Sequence, residues 1–219
     1  MVNKLFNLLS SGPFIRRFLS AIIIIPIMIL PVLLGGYSLI LVYLTILIFV
    51  VDEIIQIIRN SNYRILSFIY LFVSTVSIIL FIIQLISIDV RELFILIIFT
   101  IWIFDTFSYL GGSILKGKKI FPKISRGKTY SGLFSGLFGT MVFYFLFSIY
   151  FDFILPISYH TILIIIILAF AGDALASHLK RLAFIKDSGD LIPGHGGFLD
   201  RLDSFIFVFF VVAIYFLFV

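Results

Sequence analysis

The sequence predicts an all-α, polytopic integral membrane helix bundle of about seven spans, with its N-terminus in the cytoplasm. Three observations predict it. Hydrophobic residues make up 62% of the 219 and charged residues only 12%, more apolar surface than one soluble core of this size can hide. The apolar residues fall in runs near the roughly 20 helical residues that cross a hydrocarbon layer about 30 Å thick, without the alternation of a membrane β-barrel. The basic residues crowd into loops that share one side of the membrane once the N-terminus is placed inside.

The runs lie at about 18–34, 37–58, 66–88, 93–115, 132–154, 158–176 and 204–219. Lys4, Arg16 and Arg17 precede the first run as in a signal peptide. Pro26 and Pro31 interrupt that run, however, and no small-x-small cleavage site follows cleanly, so it reads as a retained span. Gly35-Gly36 predicts a turn that joins the first two runs as a hairpin. The last run has 16 residues, so it tilts, begins earlier or meets a thinned bilayer. No fixed-period repeat or low-complexity linker divides the chain. Residues 1–219 read as a single integral membrane domain, with N-terminal spans over 1–104 and a chemically richer half over 105–219.

With the N-terminus inside, loops 1–17, 59–65, 116–131 and 177–203 hold 15 of the 16 Lys and Arg residues, and Arg91 alone lies outside. The net charge of +5 is then mostly topological, and nucleic-acid binding is a poor reading. The absence of cysteine excludes disulfides, thiolate chemistry and Cys-based metal sites.

The segment Ser177–Asp203 carries Lys180, Arg181, Lys186, Asp187, Asp190, Asp200, Arg201 and Asp203 around a Gly194-His195-Gly196-Gly197 turn. Ionisable groups at a membrane boundary are costly to desolvate and point to a functional site. This combination suggests phosphate and metal chemistry at a lipid surface. A second loop, Lys116–Gly132, holds six Lys or Arg in 13 positions with Gly117 and Gly127 among them. It reads either as a wrap for a polyanion or as a positive-inside loop drawn to anionic headgroups.

Asp105 falls within the fourth run, and either faces the protein interior or sits at an interface if that span ends near Phe104. Asp173, near the end of the sixth, has the same two readings. Asp200 and Asp203 share a face if helical. They suit a hard cation such as Mg²⁺, or else cap and salt-bridge a helix start. His195 reads as a general base, a phosphate donor or a turn residue. Asp52 and Glu53 end the second run as an interface terminus, with Glu53 able to face the site.

Taken together, the run Ser177-x-x-Lys180-Arg181, Lys186-Asp187-Ser188-Gly189, Ile192-Pro193-Gly194-His195-Gly196-Gly197, Leu199-Asp200-Arg201-x-Asp203 resembles the signature of phosphatidate cytidylyltransferases (CDP-diacylglycerol synthases). Asp105 through Tyr109, Gly117-Lys118 and Pro122-Lys123-x-Ser125-x-Gly127-Lys128-Thr129 resemble that family's second block, and Gly172-Asp173 its Gly-Asp step. Arg126, Ser131 and Ala176 depart from it, standing where the family more often has proline, glutamate and an acidic residue.

The resemblance implies transfer of the CMP group from CTP to phosphatidate in the bilayer, giving CDP-diacylglycerol and pyrophosphate. It implies a bacterial inner membrane with the site facing the cytoplasm, and a chain that acts alone or as a homodimer. Asp173 and Asp200 would be the ligands of Mg²⁺, alone or with a monovalent ion, supported by Asp203 or Asp105. Lys128, Lys180, Arg201 and His195 are the candidate catalytic residues. Lys123, Ser125, Lys128, Ser177 and Lys186 are the candidates for binding substrate. Lys128 is expected to be a flexible ammonium that follows the triphosphate, and Arg201 to hold Asp200 and Asp203 in place. A CTP-dependent lipid kinase and an archaeol-type cytidylyltransferase share the topology, but the full His-Gly-Gly-x-Leu-Asp-Arg-x-Asp run argues against both. An ion-coupled transporter using Asp105 and Asp173 would not need two cation-rich loops.

Overall fold

The computed structural model describes residues 24–86, 91–125, 127–151, 158–191 and 196–218. These form α1 (Ile24–Leu34), then α2 (Gly36–Asn60), α3 (Arg64–Leu85), α4 (Arg91–Leu115), α5 (Tyr130–Phe151), α6 (Tyr159–Leu182) and α7 (Leu199–Phe218). Five of them, α2 to α6, are long and apolar enough to cross a membrane. The described residues contain no strand beyond one isolated bridge, Lys119 to Thr129. The chain is a polytopic helical membrane protein. Lys4, Arg16 and Arg17, on which the signal-peptide comparison rested, lie outside the described residues.

Two boundaries differ from the sequence expectation. Helix α6 continues to Leu182 rather than ending near 176, and α7 starts at Leu199 rather than 204. The expected 27-residue loop is therefore mostly two helix ends with a shorter loop between them. Lys180, Asp200 and Asp203 do not end these helices because they meet one another inside the protein. Starting at Leu199 also lengthens α7 to 20 residues, the length a crossing needs.

The Gly35 turn forms as expected, at φ 66° and ψ −158°, a conformation that favours glycine. Its N–H donates to the Pro31 carbonyl at 2.8 Å, and the Arg91 guanidinium fills the space where a Cβ would stand. Arg91 donates from Nε to the Leu85 carbonyl at 2.8 Å and from Nη2 to that of Ile86 at 3.3 Å. The basic residue outside the main clusters thus ties the end of α3 to the α1–α2 turn, where a cation also suits the negative end of a helix.

Helix α7 is the centre of the bundle, packed on α6, α3, α2 and α4. Phe209 stacks on Phe81 with centroids 4.1 Å apart, and Tyr43 and Phe94 meet Phe81 edge-on at 5.0 and 4.8 Å. Interhelical hydrogen bonds supplement this packing: Ser77 Oγ donates to the Ile206 carbonyl and Gln84 Nε2 to that of Ala213, both at 2.8 Å. Helices α4 and α5 approach closely because Gly132 and Gly136 leave room for the Ser108 backbone and side chain, the small-residue packing common between membrane helices. Leu41, Ile48, Phe72, Phe138 and Ile167 remain exposed on the outside, as lipid contact allows.

Candidate active site

The cation-rich α4–α5 loop is closed at its base. Ile120 N–H donates to the Lys128 carbonyl and Tyr130 N–H to that of Lys118, both at 2.9 Å. Ser131, which stands where the resembling family more often has an acid, accepts from Gly117 N–H at 2.9 Å and meets the Thr129 hydroxyl at 3.1 Å. Arg181, at the end of α6, donates to the Ile124 carbonyl at 3.1 Å and so fastens this loop to the α6–α7 loop. The two loops are neighbours at one end of the bundle.

Lys128 reaches out of the loop onto α6. Its ammonium lies 2.8 Å from Asp173 Oδ2, donates to the Phe170 carbonyl at 3.3 Å and sits 4.5 Å from the Phe170 ring centroid. The expected ammonium thus rests on α6 rather than standing free in the loop. A carboxylate, a carbonyl and an aromatic face fix it from three directions.

A correction concerns Arg201. The residue that holds Asp200 and Asp203 is Lys180, whose Nζ lies 2.5 Å from Asp200 Oδ1 and 3.5 Å from Asp203 Oδ2. Asp200 and Asp203 lie three residues apart and point the same way toward α6, while Arg201 projects from another side of α7. Arg201 is exposed and makes no ion pair among the described residues. Lys180 can reach both acids because α6 and α7 touch at Gly172, where a Cβ would overlap the Asp203 carbonyl. Glycine is needed before Asp173 for this close approach.

Asp200 also organises the α6–α7 loop. Its Oδ2 accepts from Ser188 N–H at 2.8 Å and Gly197 N–H at 3.0 Å. Beside it, Glu53 of α2 accepts from Ser188 Oγ at 2.6 Å and from Phe198 and Leu199 N–H at 2.9 Å each. The sequence left Glu53 as a helix terminus that could face the site. Its one local signal was an acid beside Asp52 at the end of an apolar run, and its partners lie more than 130 residues away.

Beside these contacts lies a cavity of about 460 Å³, within the usual size of a ligand site. Asp105, Ser125, Lys128, Asp173, Lys180, Asp200, Arg201 and Asp203 all line it. Its apolar wall comes from Ile24, Met28, Trp102, Phe170 and Phe205. Asp105 lies well inside α4 rather than at its end and makes no hydrogen bond or ion pair among the described residues. Ser108, one turn on, also lines the cavity with a buried hydroxyl that has no hydrogen-bond partner among the described residues. Ser177 is displaced from the cavity wall and donates to Asp173 Oδ1 at 3.2 Å. Lys123 and Lys186 are exposed and do not line the cavity. His195 lies outside the described residues.

The oxygen-only donor set has the chemistry of a hard divalent cation site. Among the described residues no three acidic or imidazole groups converge as a preformed cage. Asp200 has both oxygens engaged, Oδ1 by Lys180 and Oδ2 by the Ser188 and Gly197 amides. Asp105 is an open carboxylate in the cavity and Asp173 a half-buried one. These two line the cavity together with Asp200 and Asp203, so all four expected metal-binding carboxylates border one space.

Fold and site together define an integral membrane protein with an internal cavity of paired acids and cations between two loops. Residues 62–219 match the model of the cytidylyltransferase family, and the chain belongs to that family. It is 42% identical over 130 residues to the phosphatidate cytidylyltransferase of Rickettsia typhi, covering 52% of this chain and 55% of that protein. It is 39% identical over 110 residues to the protein of that name from Staphylococcus saprophyticus, covering 49% and 42%. The corresponding Bacillus subtilis protein is 36% identical over 121 residues, covering 52% and 45%. The chain spans about half the length of the curated relatives it matches. Glu53 precedes the stretch that matches the family.

Proposed function

We propose that the protein transfers the CMP group of CTP to phosphatidate, forming CDP-diacylglycerol and pyrophosphate. The observation that carries this reading is the cavity's mixed lining. Lys128, Lys180 and Arg201 stand among carboxylates beside an aromatic and aliphatic wall, which suits a polyphosphate and a lipid phosphate that must meet. The names of the matched relatives support it.

In this reaction a phosphate oxygen of the lipid attacks the α-phosphorus of CTP, and the bond from that phosphorus to the oxygen bridging to the β-phosphate breaks. Pyrophosphate leaves with the bonding electrons. The nucleophile is already an anion, so no side chain needs to take a proton, and His195 has no required step. The obstacle is repulsion between two polyanions, and the chain's task is positioning and charge neutralisation. Arg201, which lines the cavity and has no ion pair among the described residues, offers a planar fork that fits a phosphate in a bidentate manner. Lys128 offers its ammonium once a phosphate competes with Asp173 for it. Lys180 keeps Asp200 and Asp203 fixed. A divalent cation held by Asp105 and Asp173, with Asp203 in support, would neutralise phosphate charge and polarise the α-phosphoryl group.

Purified protein given CTP, phosphatidate and Mg²⁺ is expected to yield CDP-diacylglycerol and pyrophosphate in equal amounts. EDTA should stop turnover and added Mg²⁺ restore it. Release of CDP with a phosphorylated lipid would instead mean a CTP-dependent kinase, and no use of CTP would remove the proposal.

We further propose that both loops face the cytoplasm of a bacterial inner membrane, a reading supported by the distribution of basic residues. The natural chain has no cysteine, so single cysteines report cleanly. Lys118→Cys and Asp190→Cys should label only from the cytoplasmic side and Ser158→Cys only from the opposite side. Labelling of the first two from different sides would contradict this orientation.

A further inference from the structure

We propose that Glu53 is a positioning residue that, from α2, clamps both ends of the α6–α7 loop and thereby sets the aim of Asp187, Asp200 and Arg201 into the cavity. Its kinetic consequence rests on the cytidylyl transfer proposed above. Glu53 is 2% exposed and forms no ion pair among the described residues. Its charge is met by three donors: the Ser188 hydroxyl at the loop's start, and the Phe198 and Leu199 amides at its end. The last two open α7, where the positive end of a helix favours a carboxylate.

A simple helix cap would be local and would serve only the helix start. Glu53 comes from 135 residues before Ser188 and joins that residue to the start of α7. Ser188 is shared, since its N–H goes to Asp200 and its hydroxyl to Glu53. Two carboxylates on different helices thus bind the same two loop ends. The fit is tight, because a Cβ at Gly197 would overlap the Glu53 carboxylate and one at Gly189 would press on it. One turn earlier on α2, Phe49 stacks on Phe198 with centroids 5.2 Å apart and planes 10° from parallel, so apolar packing and hydrogen bonding fix the same point.

Asp187 adjoins Ser188, and Asp200 and Arg201 follow Leu199; all three line the cavity, whereas Glu53 does not. Glu53 therefore acts through the loop. Glutamine has nearly the same shape, but its amide group would turn a donor toward other donors, so Glu53→Gln loosens the clamp without opening a hole.

The test is Glu53→Gln in the full-length protein, read by amide hydrogen exchange and by steady-state kinetics. Exchange at Ser188, Phe198 and Leu199 is expected to quicken about tenfold or more, the scale of one lost charge-assisted hydrogen bond, while α3 and α5 keep wild-type rates. The kcat should fall by about a hundredfold, as misplacement by about 1 Å can cost, with a smaller change in the KM for CTP. Ser188→Ala, which removes one donor and keeps the charge, should fall less, and Glu53→Asp should recover part of the loss. Faster exchange throughout the bundle would make Glu53 a residue of the fold and overturn the proposal. So would an unchanged kcat, or unchanged exchange at the loop ends. Should the wild type itself not turn over CTP, the proposed reaction falls, while the local exchange still decides the clamp.

Discussion

Lys180→Met is expected to abolish CTP turnover and to lower stability by about 3–5 kcal/mol, the scale of removing one partner from a buried ion pair. Among the described residues Lys180 is the one cation in contact with both acids, with side chains 7% exposed for the lysine, 5% for Asp200 and 10% for Asp203. Methionine matches the stem's bulk but leaves those carboxylates buried without a cation. Unfolding in detergent, followed by denaturant or heat, measures the loss. Adding Asp200→Asn and Asp203→Asn removes the stranded charges and should return much of the stability. Turnover should stay absent, because Asp200 would still lack the charge that gathers Ser188 and Gly197. A single Lys180→Met variant with wild-type stability would mean that the triad is not held as the structure has it.

Lys128→Met is expected to lower turnover by about a hundredfold or more, comparable to the loss of one transition-state donor, with a smaller loss of stability. Lys128 is 11% exposed and its partner Asp173 33%, so the Asp173 carboxylate left behind is still partly hydrated. A double-mutant cycle with Asp173→Asn separates two roles. If Lys128 serves only to neutralise Asp173, the double variant returns toward the Asp173→Asn rate. If it also neutralises the substrate's phosphates, the double variant stays below that rate, which is the expected result. Lys128→Arg keeps the charge and the aromatic contact but changes the reach, and should fall between.

Asp105 shows how far single positions could be read. An acid in an apolar run marks either a boundary or an interior site, and composition cannot choose between them. The choice came from the helix continuing ten residues past it to Leu115, with Ser108 opening onto the same cavity. Lys128 and Arg201 show the complementary limit. Both were legible as cations in charge-rich segments, but their partners were not. Arg201 looked like the bridge between Asp200 and Asp203 because it lies between them in sequence. On a helix the intervening residue points elsewhere, and the bridge is Lys180, 20 residues before Asp200.

By itself the sequence determined that this is a helical membrane bundle, roughly where its helices run, and which two loops concentrate the charge. Those properties follow from composition and local pattern, since a bilayer demands helices of a given length whatever their neighbours. Tertiary structure alone decided which cation meets which acid, where α6 ends and α7 begins, and that Glu53 belongs to the loop. Each of these depends on how helices are rotated and pressed together. Gly172 lets α6 and α7 touch so that Lys180 reaches two acids, and α2 brings Glu53 to a loop 135 residues away. Spacing along the chain carries no record of such contacts, because they are set by the packing of faces that only the folded bundle brings together.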